Sequence, residues 1–228
     1  MNDWREHSLS DEKLVDEVWT THLSSYPTDY NGQLLFLQGF QHSTTVSLEL
    51  GSVSYATLLT MGSEELSFPQ GTGILGCQFL VFSPCGGYLL VGRRKAEQSY
   101  CPGLLTVPGG MLEESDSKIQ PKEAFLREFF EEVDVPTHHS SVCVALLEEH
   151  NKRSIIALIS VMADGEVNNF DPKQVLVGKD NEWSRDQLWW LKISNLNSLP
   201  SEELMEGLSF CQSELLSKRT LAHLTPNR

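Results

Sequence analysis

The chain has 228 residues, of which 40% are hydrophobic, and its formal net charge is -14. That hydrophobic fraction is enough for a folded core, and the negative charge disfavours a nucleic-acid backbone as the main partner. No apolar run reaches the roughly 18 residues that a membrane helix needs, and the N-terminus has no secretory-signal pattern. The five cysteines form no CxxC pair, which favours thiols in a reducing compartment. We therefore expect a cytoplasmic protein without a nucleic-acid or membrane partner; its oligomeric state stays open.

The first 70 residues predict a small N-terminal α+β lobe. Acids in the first turn and apolar residues along one side predict an amphipathic first helix. Asn31 and Gly32 are turn formers that open the first strand. The predicted elements are a helix over 10–25, strands over 31–40 and 44–50, and a short helix over 55–62.

The remaining residues, 71–228, predict a larger domain of mixed strands and helices. Two apolar runs separated by "PCGG" predict a β-hairpin. The predicted elements are strands over 73–83, 88–95, 140–150, 153–163 and 186–193, and a C-terminal helix over 201–219. Because strands and helices mix without a regular alternation, the fold class is α/β or α+β with a mixed sheet.

The stretch "VPGGMLEESDSKIQPKEAFLREFFEEVDV" at 107–135 places an acidic helix behind a glycine turn. At about 100° per residue, Glu131 and Glu132 lie about 60° and 40° to either side of Glu128, so the three carboxylates share one stripe. A wide apolar face beside that stripe is expected to press on a sheet. Its members are Phe125, Leu126, Phe129, Phe130 and Val133.

A carboxylate stripe of this kind has two interpretations. It is useful when a hard cation neutralises it, and oxygen ligands select Mg²⁺ or Mn²⁺. The alternative is a solvated acidic helix face. The preceding turn at Gly109 and Gly110 favours the metal site, and Arg127 stands one turn before Glu131, where it is expected to hold a carboxylate in place.

These residues resemble the Nudix hydrolases. The family's sequence box is a glycine, five residues, Glu, seven residues, and then Arg-Glu-apolar-x-Glu-Glu-x-Gly-apolar. Here the segment 127–135 matches the second half, and "YLLVGRRKAEQSYCPGLLTVPGG" is similar to the family's approach to the box. The resemblance covers roughly residues 73–200. It implies a Nudix-type α/β/α sandwich with a mixed sheet, extended by the small N-terminal lobe.

The resemblance implies metal-dependent hydrolysis of a nucleoside diphosphate linked to another group. The ligands it implies for Mg²⁺ or Mn²⁺ are Glu128, Glu131, Glu132 and the carbonyl of Gly109, with Glu128 and Arg127 as catalytic residues. The general base often lies outside the box in this family. Candidates for it are Glu182, Asp186, Glu148 and Glu149, although each alone also fits a plain surface acid.

The box departs from the family pattern in its loop. The distance from Gly110 to Arg127 is longer by three residues, and counting back from Arg127 places the first box glutamate at Ile119. Either Glu113 or Glu114 substitutes from the longer loop, or that orienting role is lost. Two further departures are Asp134 at the final glycine and Leu105 where many members have Trp.

Two groups outside the box are candidates for substrate contact. Arg93 and Arg94 would clamp a diphosphate, because arginine binds phosphate oxygens bidentately; the alternative is a solubilising turn. The pair Trp189-Trp190 is expected to pack on the sheet, and stacking on a base is the alternative.

The flanks resemble the branch of the family that hydrolyses UDP-glucose and UDP-galactose. The similar segments are "VDEVWTTHLSSYPTDYNGQLLFLQGF", "GSVSYATLLTMG" and the Trp-free "PGLLTVPGG". This resemblance implies cleavage of a UDP-sugar to UMP and a sugar 1-phosphate. ADP-ribose, a dinucleotide or another nucleotide sugar stays open, and so does a Nudix-fold binding protein that has lost catalysis, which Ile119 and the longer loop motivate.

Overall fold

A computed structural model gives the fold of most of the chain. It describes residues 12–42, 46–63, 71–99, 101–133, 135–149, 154–166, 169–177 and 183–216. The α-helices are α1 Glu12–Ser25, α2 Tyr55–Ser63, α3 Pro121–Glu132, α4 Ile193–Leu196 and α5 Glu206–Leu216. The strands are β1 Gln33–His42, β2 Val46–Ser54, β3 Gly73–Phe82, β4 Tyr88–Arg94, β5 Leu105–Thr106, β6 Thr137–Glu149, β7 Ser154–Ala163, β8 Val175–Val177 and β9 Trp183–Lys192.

The structure confirms the mixed α/β class and most of the predicted elements. The helix expected over 10–25 is α1, and the hairpin expected around "PCGG" is the antiparallel pair of β3 and β4, in which Phe82 faces Leu89. Among the described residues, no helix is both long enough and apolar enough to cross a membrane. The chain divides into two compact units, and the predicted boundary after residue 70 stays a prediction.

The first unit comprises the described residues within 1–75, 111–124 and 148–155. Strands β1 and β2 pair antiparallel, and the first residues of β3 pair with β1, so that Phe36 faces Ile74. Phe36, Val53 and Ile74 form a small buried core. The His22 ring stacks on Trp19 and hydrogen-bonds the Asp29 carboxylate at 2.8 Å.

The second unit comprises the described residues within 76–110, 125–147 and 156–216. Strand β4 pairs antiparallel with three strands, β3, β5 and β9. Strand β8 pairs with β9, and β7 pairs with both β3 and β6. Leu80, Leu89, Leu158 and Leu208 belong to one core cluster. That cluster includes residues of α5, so the C-terminal helix is part of this core.

The C-terminal helix begins later than the sequence predicts. A 3-10 turn covers Ser201–Glu203 and α5 starts at Glu206, so the prediction of one helix from residue 201 is wrong. Leu204 forms a parallel bridge with Leu105, and the Met205 N–H donates to the Leu105 carbonyl at 3.0 Å. Pairing with β5 therefore holds 204–205 extended, and the helix begins only after that pairing ends.

The buried face of α3 also differs from the predicted one. Phe130 is 49% exposed, whereas Phe129 is 1% exposed. The buried residues of this helix and the residue after it are Ala124, Glu128, Phe129, Glu132 and Val133. The buried arc is therefore rotated by about 80° from the apolar face predicted from residue types. This arc includes the carboxylates of Glu128 and Glu132 and excludes Phe130.

Candidate active site

The glycine turn lies directly against β3. The Phe79 N–H donates to the Pro108 carbonyl at 2.7 Å, and the Cys77 N–H donates to the Gly110 carbonyl at 2.9 Å. Successive carbonyls of an extended segment point in opposite directions. We therefore expect the carbonyl of Gly109 to point away from β3.

Only glycine fits at the first position of this turn. A Cβ atom on Gly109 would lie 2.2 Å from the Cys77 carbonyl oxygen and 2.8 Å from the Gln78 Cα. Both of these atoms belong to the main chain, so they cannot move aside as the end of a side chain can. The close approach of two backbones explains why the sequence has a glycine here.

Two of the three predicted carboxylates are buried. Glu128 is 7% exposed and Glu132 is 5% exposed, whereas Glu131 lies at the surface. Burying a carboxylate without a charge to balance it costs several kcal/mol. The burial of two acids and the exposure of Phe130 differ from what residue type favours, and they bring the two carboxylates into the interior.

Arg127 holds two of the acids through separate nitrogens. Its Nη2 is 2.6 Å from Glu128 Oε1, and its Nη1 is 2.6 Å from Glu131 Oε2. The predicted contact with Glu131 is present, and the contact with Glu128 adds to it. The other oxygen of Glu128 faces Gly110, because a Cβ on that glycine would lie 2.2 Å from Oε2. One carboxylate is thus fixed between an arginine and the glycine turn.

The arginine contact is expected to matter for folding stability. We expect Arg127→Met to lower the free energy of unfolding by about 1–3 kcal/mol, because the buried Glu128 loses its closest cation. Urea unfolding monitored by circular dichroism measures the change. The Arg127→Met/Glu128→Gln double variant should regain part of the loss, because the buried charge is gone; if the second substitution destabilises further, the pairing is not what holds Glu128.

Cys77 stands beside the same carboxylates. Burial raises the pKa of its thiol well above the usual range, and the negative charges of Glu128 and Glu132 raise it further, while a hydrogen bond with the Gly110 backbone lowers it. The thiol therefore stays neutral at physiological pH. A neutral thiol is a poor nucleophile, so we assign no catalytic role to Cys77.

The donor set fits a hard divalent cation. Two carboxylates and a backbone carbonyl are oxygen ligands, and Mg²⁺ is usually bound by one or two carboxylates together with water and substrate phosphates. Among the residues that the structure describes, no three acidic, histidine or cysteine side chains come together in a metal-binding group. Glu128 and Glu132, which are both buried, are the better candidates, whereas Glu131 is exposed.

The two arginines proposed for a diphosphate clamp have different surroundings. Arg93 Nη1 donates to the Gly103 carbonyl at 2.7 Å, and its Nη2 lies 3.1 Å from Glu203 Oε2. Arg94 is 8% exposed, and its backbone N–H donates to the Leu104 carbonyl at 3.0 Å. Arg94 is buried at the end of β4. The alternative interpretation, a solubilising turn, therefore does not apply to this residue. A role of either residue in binding phosphate stays a prediction.

Several predicted residues lie outside what the structure describes. Glu182 and Asp134 are among them, and so are the side chains of Asp186, Glu148 and Glu149. The identity of the general base is therefore still a prediction. Trp189 and Trp190 are described: Trp189 packs against the core cluster and Trp190 contacts Phe170 with ring centroids 5.2 Å apart, in agreement with the expected packing.

The loop between the glycine turn and α3 contains an acid that backward counting misses. Counting forward from Gly110, with five intervening residues as in the family pattern, places the first box glutamate at Asp116. This side chain is 4% exposed, and its Oδ2 accepts a hydrogen bond from the Glu113 N–H at 2.8 Å. Glu113, Glu114 and Ile119 are all exposed. The longer loop is thus equally consistent with an insertion placed after Asp116.

We expect Asp116→Ala to lower the free energy of unfolding by about 1 kcal/mol and turnover by about tenfold, because a buried acceptor that orders the loop is lost. The Glu113→Gln/Glu114→Gln variant tests the earlier expectation that an exposed acid takes the vacant role; we expect it to lose a smaller share of activity. Ile119→Val serves as the control with unchanged turnover. If the double variant loses as much as Asp116→Ala, the exposed acids carry the role.

Comparison with known proteins identifies the family. The model of the NUDIX domain matches residues 78–199, which is more than half of the chain. This match contains both the glycine turn and the acidic helix whose geometry is described above. The chain therefore belongs to the Nudix family.

Solved structures of similar fold come from several bacteria. A MutT structure from work on Aliivibrio salmonicida and Vibrio cholerae is 15% identical, with a TM-score of 0.43, covering 63% of this chain and 96% of that one. DR0079 from Deinococcus radiodurans is 17% identical, with a TM-score of 0.48, covering 78% and 98%. The NUDIX domain of Shewanella oneidensis NrtR, complexed with ADP ribose, is 13% identical, with a TM-score of 0.47, covering 64% and 88%. No curated protein matches the sequence.

Proposed function

We propose that this protein is a metal-dependent pyrophosphohydrolase that cleaves a nucleoside diphosphate linked to another group, with a UDP-sugar as the favoured substrate. The products would be UMP and a sugar 1-phosphate. The observation that carries the proposal is the burial of Glu128 and Glu132 beside the turn at Gly109. Two buried carboxylates and a backbone carbonyl would offer the oxygen ligands that a hard divalent cation binds.

The proposed ligands of Mg²⁺ or Mn²⁺ are Glu128, Glu132 and the Gly109 carbonyl, with Glu131 as a fourth donor. Bound there, the cation would offset phosphate charge and lower the pKa of an attacking water. Arg127 keeps the Glu128 carboxylate in one orientation through the 2.6 Å contact. Glu182 remains our candidate for the base that accepts the proton of that water.

Uridine specificity is supported by the flank resemblance alone. The net charge of -14 favours a compact diphosphate over a long polyanion, because a polyanion gains affinity from many Lys and Arg contacts. The second candidate is an ADP-ribose or dinucleotide pyrophosphatase. Arg93 and Arg94 are proposed to contact the substrate's phosphates in either case. We place the activity in the cytoplasm, since the five cysteines, all described, form no disulfide.

The test compares kcat/KM for UDP-glucose, UDP-galactose, ADP-glucose and ADP-ribose at saturating Mg²⁺, and again with Mn²⁺. We expect the uridine substrates to exceed both adenine substrates by about tenfold, because base-specific hydrogen bonds discriminate strongly. The Glu128→Gln/Glu132→Gln variant is the control for contaminating hydrolases. A preference for an adenine substrate would contradict the uridine assignment. The proposal that the protein is a hydrolase would still hold.

A binding protein without catalysis is the third candidate, and Ile119 in the lengthened loop favours it. The same assay separates it from the enzyme. Absence of turnover of all four substrates with both metals, together with measurable nucleotide binding by calorimetry, would support the binding protein. The buried pair of Glu128 and Glu132 is the reason we favour the enzyme.

A further inference from the structure

Gln78 is a buried polar residue on β3 that neither the sequence box nor the proposed chemistry uses. It is 5% exposed and directly follows Cys77, which lines the carboxylate site. Its side-chain Oε1 accepts a hydrogen bond from the Gly207 N–H at 2.8 Å. A buried amide on a core strand costs stability unless it makes such a bond, so the contact with Gly207 accounts for how the amide is tolerated.

The bond from Gln78 holds the beginning of α5. The first N–H groups of a helix have no partner within the helix, and Gly207 is the second residue of α5. A Cβ on Gly207 would lie 2.3 Å from Gln78 Oε1 and 3.3 Å from Val107 Cγ2. The start of the C-terminal helix is therefore packed closely against Gln78 and against Val107, which lies two positions before Gly109.

The backbone of Gln78 touches the glycine turn on its other side. A Cβ on Gly109 would lie 2.8 Å from the Gln78 Cα, so these two main chains are in close contact. The neighbouring residues of β3 donate their N–H groups to the carbonyls of Pro108 and Gly110. One residue thus contacts the metal-binding turn through its backbone and the C-terminal helix through its side chain.

We infer that Gln78 is a positioning residue for the metal site. Gln78 holds the start of α5 against β3 and beside Val107. In this way it fixes the position and orientation of the turn that presents the Gly109 carbonyl. Without its acceptor, the buried Gly207 N–H loses its partner and the start of α5 loosens. The inference rests on the proposed function for the metal site that Gln78 would position.

Gln212 provides a matched control within the same helix. It is 6% exposed, and its Nε2 donates to the carbonyls of Leu196 and Leu199 at 2.9 and 2.7 Å. Gln212→Leu therefore also removes a buried amide that ties α5 to the rest of its unit. Its contacts run to the segment after β9, whereas those of Gln78 run to the glycine turn.

The experiment measures Mn²⁺ affinity by electron paramagnetic resonance for the wild type, Gln78→Leu and Gln212→Leu, each checked for folding by thermal unfolding. Loss of an outer contact that orients metal ligands costs about 10- to 100-fold in affinity. We expect Gln78→Leu to weaken Mn²⁺ binding by about tenfold, with Gln212→Leu close to wild type. Equal affinities in the two variants would overturn the inference.

Gly207→Ala tests the same contact from the opposite side and serves if Gln78→Leu does not fold. Its Cβ would push against the flexible end of Gln78, so we expect a smaller loss of Mn²⁺ affinity than in Gln78→Leu. An unchanged affinity would contradict the inference. If the wild type binds Mn²⁺ but hydrolyses no substrate, the proposed activity fails, and the affinity ratio still decides the role of Gln78. If the wild type does not bind Mn²⁺, the metal site and the inference both fail.

Discussion

Replacing Glu128 or Glu132 with glutamine is expected to lower turnover by about a hundred- to a thousandfold while the protein stays folded. Glutamine keeps the shape of the side chain and removes the charge that a divalent cation needs. Both carboxylates are buried, at 7% and 5% exposure, so water cannot easily replace the lost ligand. Stability without metal should change little in Glu128→Gln, because Arg127 is partly exposed and keeps its contact with Glu131 at 2.6 Å.

The measurement is steady-state turnover of UDP-glucose, or of whichever substrate the screen selects, at several Mg²⁺ concentrations. Glu123→Gln is the matched control, because Glu123 is an exposed acid on the same helix. Glu131→Gln should fall between the control and the two buried positions, because its carboxylate lies at the surface beside Arg127 at 2.6 Å. If Glu128→Gln and Glu132→Gln both keep near wild-type turnover at limiting Mg²⁺, these two carboxylates are not metal ligands.

Thermal unfolding gives a second measurement on the same variants. A cation that binds only the folded protein at 100 times its dissociation constant adds about 2.7 kcal/mol of stability. The Tm of the wild type should therefore rise with Mn²⁺, and the Tm of Glu128→Gln and Glu132→Gln should rise much less. This comparison depends on binding alone, so it separates a loss of metal from a loss of chemistry.

The parts of the fold that follow local rules could be predicted from the sequence. Helix α1 has acids in its first turn and α3 has a continuous helical pattern, and both were found where expected. The hairpin of β3 and β4 follows from two apolar runs around a turn. In the candidate site, residue spacing alone placed Glu128 and Glu132 on the same side of one helix.

The parts that depend on distant partners could not be predicted. Strands β5 and β8 have only two and three residues, too few for a periodic pattern, and they exist because neighbouring strands pair with them. Residue type predicts that Phe130 belongs to the buried apolar face of α3, whereas the structure exposes Phe130 and buries Glu128 and Glu132. A functional site is where local preference and tertiary structure are expected to disagree.

Contacts across long sequence separations leave no local signal at all. Gln78 and Gly207 are 129 residues apart, and neither belongs to a recognisable pattern. Asp116 differs from them, because counting forward from Gly110 finds it, whereas counting back from Arg127 gives Ile119. The sequence alone does not choose between the two counts, and the burial of Asp116 favours the forward count.

The second large effect is expected at the glycine turn. We expect Gly109→Ala to lower turnover by at least about a hundredfold and to lower the free energy of unfolding by about 1–3 kcal/mol. The new Cβ would lie 2.2 Å from the Cys77 carbonyl oxygen and 2.8 Å from the Gln78 Cα. Since both atoms are backbone, the turn must move away from β3, and the Gly109 carbonyl moves with it.

Gly87→Ala is the control for Gly109→Ala. A Cβ there would meet only the Cys85 sulfur, at 3.6 Å, which is an ordinary contact, so turnover and stability should stay near wild type. Turnover and Mn²⁺ affinity measured together, below the Tm of the variant, show whether the turn acts through the metal. If Gly109→Ala loses stability but keeps its Mn²⁺ affinity and turnover, the carbonyl of Gly109 is not a ligand, and the cation would depend on the carboxylates of α3 alone.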